Sequence, residues 1–160
     1  TLSEPVEDAD SFEGNALIKA RAGCRESGMP CIADDSGLCV DALDGRPGVF
    51  TARYHGEKTP YREKMEFLLD EMKNVPAEKR TARFVCAAAC VFPDGTETAV
   101  RGTCDGRIGY AIVGEKGFGF DPVFEVGGRS FAELSDSEKD AISHRGNALG
   151  KLSAELAKLK

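Results

Sequence analysis

Apolar residues return at helical spacing between Ser11 and Gly28: Phe12, Ala16, Ala20 and Cys24 fall on one face of "FEGNALIKARAGCRES". Ser11 offers a hydroxyl to cap the first turn and Gly28 can adopt the left-handed conformation that ends one, so the stretch predicts a helix packed by one face on a sheet. "MPCIAD" and "GLCVDAL" are short apolar runs that predict two short strands, interrupted by Asp35, Ser36 and Gly37. "GRPGVFTARYHG" is punctuated by glycine and proline and predicts a loop holding one helical turn. A second helix is predicted over "TPYREKMEFLLDEMKNV", with Tyr61, Met65, Leu68 and Met72 along one side.

"RTARFVCAAACVF" and "TETAVRGTCDGRI" flank Pro93, Asp94 and Gly95, which predicts two long strands in an antiparallel hairpin. "VGEKGFGFDPVFEV" alternates glycine with aromatics and ends as a short strand. "SDSEKDAISHRGNALGKLSAELAKLK" predicts helix, with Ser135 and Glu138 at capping-box spacing and a bend near Gly146. Helices interleaved with strands of both kinds point to an α/β fold with a mixed sheet, and no repeat or linker-like tract divides the chain.

With 160 residues, 41% of them hydrophobic, the chain is long enough for one domain with a substantial core and too short for two independent ones. No apolar run reaches bilayer length, and the opening "TLSEPVEDAD" is acidic where a secretory signal is basic and then apolar; the expectation is a soluble, cytoplasmic protein with no membrane partner. The 6 cysteines form no C-x-x-C and sit mostly in apolar segments, so they read as reduced, buried thiols; with 2 histidines, a zinc site is the weaker alternative. A net charge of -6 argues against nucleic acid as a partner, although an anionic ligand stays open where a metal ion meets a few basic residues.

Three segments carry candidate chemistry. Asp34 and Asp35 end an apolar run, where adjacent carboxylates repel and lose hydration unless a cation or hydrogen-bond donors offset the cost. In a strand the two point to opposite faces, so one could bind a divalent ion or act as a base while the other takes backbone donors. The alternative is that Asp35, Ser36 and Gly37 open an ordinary turn. In "GEKGFGFDP", Phe118 and Phe120 flank Gly119 and precede Asp121; the rings either face a flat ligand such as a purine or point inward while the glycines turn the chain. In "EKDAISHRGNAL", Lys139 and Ser143 share a helical face, with His144 and Arg145 following. Their donors suit phosphate or ring carbonyl oxygens, and a solvated amphipathic helix is the plainer reading. The glycine spacings match neither G-x-G-x-x-G nor G-x-x-x-x-G-K-[ST], which leaves a Rossmann or P-loop site unsupported.

Taken in order, "SFEGNALIKARA", "ADDSGL", "DGRPGVFTARYHG", "RFVCAAA", "GFGFDPVF", "FAELS" and "EKDAISHRGNAL" closely resemble the inosine triphosphate pyrophosphatase family, from about Glu4 to Leu156. The resemblance implies an elongated mixed β-sheet in two lobes with flanking helices and a central substrate cleft, in a homodimer. It implies magnesium-dependent hydrolysis of ITP, dITP and XTP to the monophosphate and pyrophosphate. Carried over, Asp35 is the proton acceptor and a magnesium ligand, and Ser36 contacts substrate. Phe118, Gly119, Phe120 and Asp121 form the base-binding loop, while Lys139, His144 and Arg145 contact substrate from the helix. A second acidic metal contact falls on Glu7, or on Glu4. Family members also begin with a strand and a phosphate-contacting loop that have no counterpart before Thr1. The expectation is therefore a single domain lacking that strand and loop, weak or inactive by itself, with a nucleotide-binding but non-catalytic module as the alternative.

Overall fold

The structure, a computed structural model, describes residues 5–115, 117 and 119–159. Among the described residues four α-helices and five strands follow in the order α1 (Phe12–Ser27), β1 (Cys31–Val40), α2 (Tyr61–Glu71), β2 (Thr81–Val91), β3 (Glu97–Ile108), β4 (Phe124–Val126), β5 (Arg129–Ser130), α3 (Asp136–Ile142) and α4 (His144–Ala157). The strands form one sheet in sequence order, β1 to β5. The β3–β4 and β4–β5 pairs are antiparallel. So is the β2–β3 hairpin, whose turn is closed by the Phe92 amide donating to the Thr96 carbonyl at 2.9 Å. The α/β class read from the sequence is the one observed.

Local signals explain most boundaries. The Ser11 hydroxyl accepts from the Gly14 amide, and Gly28, at φ 70, donates its amide to the Cys24 carbonyl, so α1 starts and stops where its caps stand. The loop at 48–53 contains the expected single stretch of tight helix, Gly48–Arg53. Ser135 and Glu138 exchange the two hydrogen bonds of a capping box, each at 3.1 Å.

Two expectations are corrected. "CIADDSGLCV" is one continuous strand, β1, instead of two: pairing with β2 holds Asp35, Ser36 and Gly37 extended against their turn propensity. The C-terminal helix breaks at Ser143, not near Gly146. There α3 has ended and the Ser143 hydroxyl caps α4 by accepting from the Gly146 amide at 3.0 Å. Lys139 and Ser143 therefore do not share one helical face.

The chain divides into two compact units, with crossings inside β1, β2 and β3 and between α3 and α4. The first unit holds residues through Ser36, Val85–Thr103 and those from Ser143 onward. Its β2 segment is buried on both faces, with Cys86, Ala88 and Cys90 packed on Ala148 and Leu152 of α4. Small side chains on the strand let the helix approach closely. The tightest approach is at Gly102, where an added Cβ would lie 2.3 Å from the Ala148 nitrogen and 2.5 Å from the His144 carbonyl oxygen. Asn147 and Lys151 donate to the Thr103 and Arg101 carbonyls on either side of it, at 2.9 and 2.8 Å. Gly102→Ala is therefore expected to push α4 off β3 and cost roughly 1–3 kcal/mol, read as a lower urea midpoint. An unchanged midpoint would show that the helix gives way freely.

The second unit, Gly37–Phe84 with Cys104–Ile142, has its own core, in which Leu38, Leu68, Met72, Phe84, Ile108, Phe124 and Phe131 are buried. Arg80 is 1% exposed inside it. Its guanidinium donates to the carbonyls of Ile108, Gly109, Met72 and Val75 at 2.9, 2.6, 2.6 and 3.2 Å, with its carbon 4.2 Å from the Tyr110 ring centroid. Burial lowers its pKa from the ordinary value. On α2, Met65, Leu68 and Met72 are buried as expected, whereas Tyr61 is 38% exposed and Lys64 only 1%. The Lys64 ammonium donates to the Ala52 carbonyl, which explains how a charge enters that face. The cysteines are all free thiols, of which Cys24, Cys86, Cys90 and Cys104 are buried and Cys31 and Cys39 half-buried.

Candidate active site

β1 carries the two adjacent carboxylates, and its alternation sends them to different partners. Asp35 faces α1, where the Asn15 amide donates to its Oδ2 at 3.4 Å and the Lys19 ammonium lies 3.8 Å from its Oδ1. Glu7 reaches the same ammonium at 3.3 Å. Asn15 is 2% exposed, and its own carbonyl accepts from the Ala9 amide at 3.0 Å, which ties the segment carrying Glu7 to the helix facing Asp35. Two carboxylates thus converge on one cation, with a buried amide orienting one of them.

Burial pushes the Asp35 carboxyl above its ordinary value of 3.8; Lys19 and the Asn15 hydrogen bond pull it back, while Glu7 and Asp34 push it up. A carboxylate that holds its proton more strongly is a stronger base once ionised, which suits proton abstraction from water. The donor set is hard oxygen, as magnesium prefers. Among the described residues no group of three or more His, Cys, Asp or Glu side chains converges as a metal cage. Asp35 and Glu7 could hold an ion that takes its other ligands from water and phosphate, the ordinary habit of magnesium.

Asp34 faces the other way. Its Oδ2 accepts from Arg145 Nε at 3.0 Å and from the Cys86 thiol at 3.7 Å. Burial, and then Asp34, push the Cys86 thiol up to about 11, so it is a donor and not a nucleophile near neutral pH. Arg145 and His144 open α4, with Arg145 exposed and His144 half-buried. Ser36 follows Asp35 on β1 and is half-buried. Glu7, Asp35, Ser36, His144 and Arg145 all belong to the first unit, with Lys19 and Asn15, which the sequence reading passed over. Their spacing of four on α1 placed them on one face, but nothing local marked that face as meeting Asp35.

Gly119, Phe120, Asp121 and Lys139 lie in the second unit. Phe120 is 2% exposed in the core and meets Tyr54 and Tyr61 edge-on, with ring centroids 6.0 and 5.5 Å apart. Of the two readings of this ring, the structure has it pointing inward. Gly119 sits beside Tyr61, and Phe118 lies outside the described residues, as does Glu4. Asp121, 3% exposed, accepts from the Lys139 ammonium at 2.5 Å, so these two expected substrate contacts are brought together as a pair. Gly117, at φ 79, touches that carboxylate: a Cβ there would lie 2.2 Å from Asp121 Oδ2.

Comparison with known proteins identifies the family. A model of the Ham1 family matches residues 1–155. A dITP/XTP pyrophosphatase of Nocardia farcinica is 50% identical over 158 residues, covering 98% of this chain and 77% of that protein. The structure of the Staphylococcus aureus Ham1 protein superposes with a TM-score of 0.92 at 39% identity, covering 99% of this chain and 82% of the other. A nucleoside-triphosphatase, or dITP/XTP pyrophosphatase, from Mycobacterium abscessus gives a TM-score of 0.82 at 47% identity over 95% of this chain and 81% of its own. The chain belongs to the Ham1 family.

Proposed function

We propose that the protein hydrolyses non-canonical purine nucleoside triphosphates, ITP, dITP and XTP, to the nucleoside monophosphate and pyrophosphate with magnesium. The observation that carries this reading is the meeting of Asp35, Glu7 and Lys19 around one position, with Arg145 held from the neighbouring carboxylate. The relatives curated as dITP/XTP pyrophosphatases support the substrate class. Asp35 and Glu7 would hold the magnesium ion, which supplies charge neutralisation on the phosphates. Asp35 orients a water molecule and takes its proton as the oxygen attacks phosphorus. Lys19, which Glu7 and Asp35 hold at the site, donates to a phosphate oxygen whose charge grows in the transition state.

Arg145 and His144 present donors, which suit the 6-oxo group of hypoxanthine and xanthine and leave the 6-amino group of adenine mismatched. Guanine shares the oxo group, so its rejection turns on the 2-amino substituent. On the resemblance, Ser36, Phe118, Gly119, Asp121 and Lys139 are further proposed substrate contacts, with Phe120, its ring in the core, contributing through its main chain.

Pyrophosphate release with ITP, XTP, ATP and GTP tests the proposal. The expected result is magnesium-dependent release with kcat/KM at least about 100-fold higher for ITP and XTP than for ATP. Equal turnover of all four would remove the specificity, and release of orthophosphate would place the cleavage at the wrong bond.

A further inference from the structure

The proposed reaction gives Asp35 its work and leaves Asp34 without any, although Asp34 lies one residue away and is bound just as definitely. One oxygen, Oδ2, accepts from Arg145 Nε at 3.0 Å and from the Cys86 thiol at 3.7 Å. The Arg145 side chain is 45% exposed. An arginine so exposed keeps most of its rotamer freedom, and a ligand that immobilises it loses affinity by the entropy removed. A bond through Nε limits rotation of the guanidinium plane about the end of the stem, so part of that ordering is done before any ligand arrives.

The backbone of Arg145 is fixed independently. Gly102 admits the α4 backbone at His144 and Ala148, and Asn147 and Lys151 bond to the carbonyls flanking Gly102. β3 therefore sets where the side chain starts, and Asp34 on β1 sets where it ends. Cys86 on β2 holds the carboxylate from a second direction, so the acceptor is itself oriented.

We propose that Asp34 is a positioning residue that holds the Arg145 guanidinium ready for the oxo edge of the purine. This rests on the reading of Arg145 as a donor to the base. Preorganisation of a binding group acts on KM, whereas a part in proton transfer or metal binding acts on kcat.

Steady-state kinetics with ITP on Asp34→Ala, Asp34→Asn, Arg145→Ala and the Asp34→Ala/Arg145→Ala double variant decide it. Asp34→Ala is expected to raise KM about tenfold with kcat within about threefold of wild type, as loss of a hydrogen bond to a charged group suggests. Asp34→Asn keeps the shape and a neutral acceptor and should recover most of the loss. In the Arg145→Ala background the Asp34 substitution should have no further effect on KM. A collapse of kcat at constant KM in Asp34→Ala, or additive losses in the double variant, overturns the positioning role. If Arg145→Ala itself leaves KM unchanged, the underlying reading of Arg145 fails; if it raises KM while Asp34→Ala does not, only the tether fails. Should Asp34→Ala not fold, Asp34→Leu, which keeps the bulk and offers no acceptor, carries the same comparison with and without Arg145.

Discussion

Asp35→Asn is expected to lower kcat about a thousandfold or more while leaving the protein at least as stable as wild type. The substitution keeps the shape of the side chain and its contact with Asn15, but an amide neither accepts the proton of water nor offers a charged ligand to magnesium; general-base catalysis alone contributes on the order of 10²- to 10⁴-fold. The stability half comes from linkage. The folded-state pKa of Asp35 is raised by burial, so folding favours the protonated form. Below the ordinary 3.8 the group is protonated in both states and costs nothing; the deficit grows as pH rises through the folded value and is full above it. Thermal melts of the metal-free proteins should therefore coincide in acid, with the variant the more stable at neutral pH. Turnover above about a tenth of wild type would remove Asp35 from the base role.

Replacing Arg80 by methionine is expected to cost about 4 kcal/mol, read as a fall in the urea midpoint at unchanged slope. Four backbone carbonyls accept from this one guanidinium; that of Met72 also takes the Val75 amide, and a buried acceptor left without a donor costs roughly 1–3 kcal/mol, with partial relaxation reducing the sum. The side chain joins the residues just after α2 to the end of β3, beside the apolar contacts that Met72, Val75 and Ile108 make in the same core. Arg80→Lys should recover less than half, because an ammonium cannot span carbonyls arrayed around a planar fork. A loss below about 1 kcal/mol would mean that water or a neighbour replaces the donors.

Both results bear on what the sequence displayed. α1 was legible to the residue because its cap, apolar face and terminating glycine are all local. The continuity of β1 was not: Asp35, Ser36 and Gly37 favour a turn by themselves, and only a neighbouring strand overrides that preference. Gly146, the weakest helix former of its segment, draws the expected bend to itself, whereas the chain breaks three residues earlier because the Ser143 hydroxyl can cap α4. Of the candidate site, Asp35 and Arg145 stand in motifs and Glu7 was placed by spacing under the resemblance, while Lys19 and Asn15 were hidden because their partner lies on a separate element. Nothing in the sequence sets Arg80 and Lys64, both buried, apart from the surface charges, since no pattern of polar and apolar residues shows a carbonyl waiting inside.

The alternation of β1 also bears on how this protein can change over generations. Asp34 and Asp35 owe their different partners to a period of two, so a single-residue insertion or deletion upstream in the strand would exchange them, turning the proposed base toward Arg145 and the tether toward Lys19. Substitutions can adjust either side of the strand one at a time. Length changes there have no gradual path, and lineages descending from this chain should vary in the letters of β1 long before they vary in its spacing.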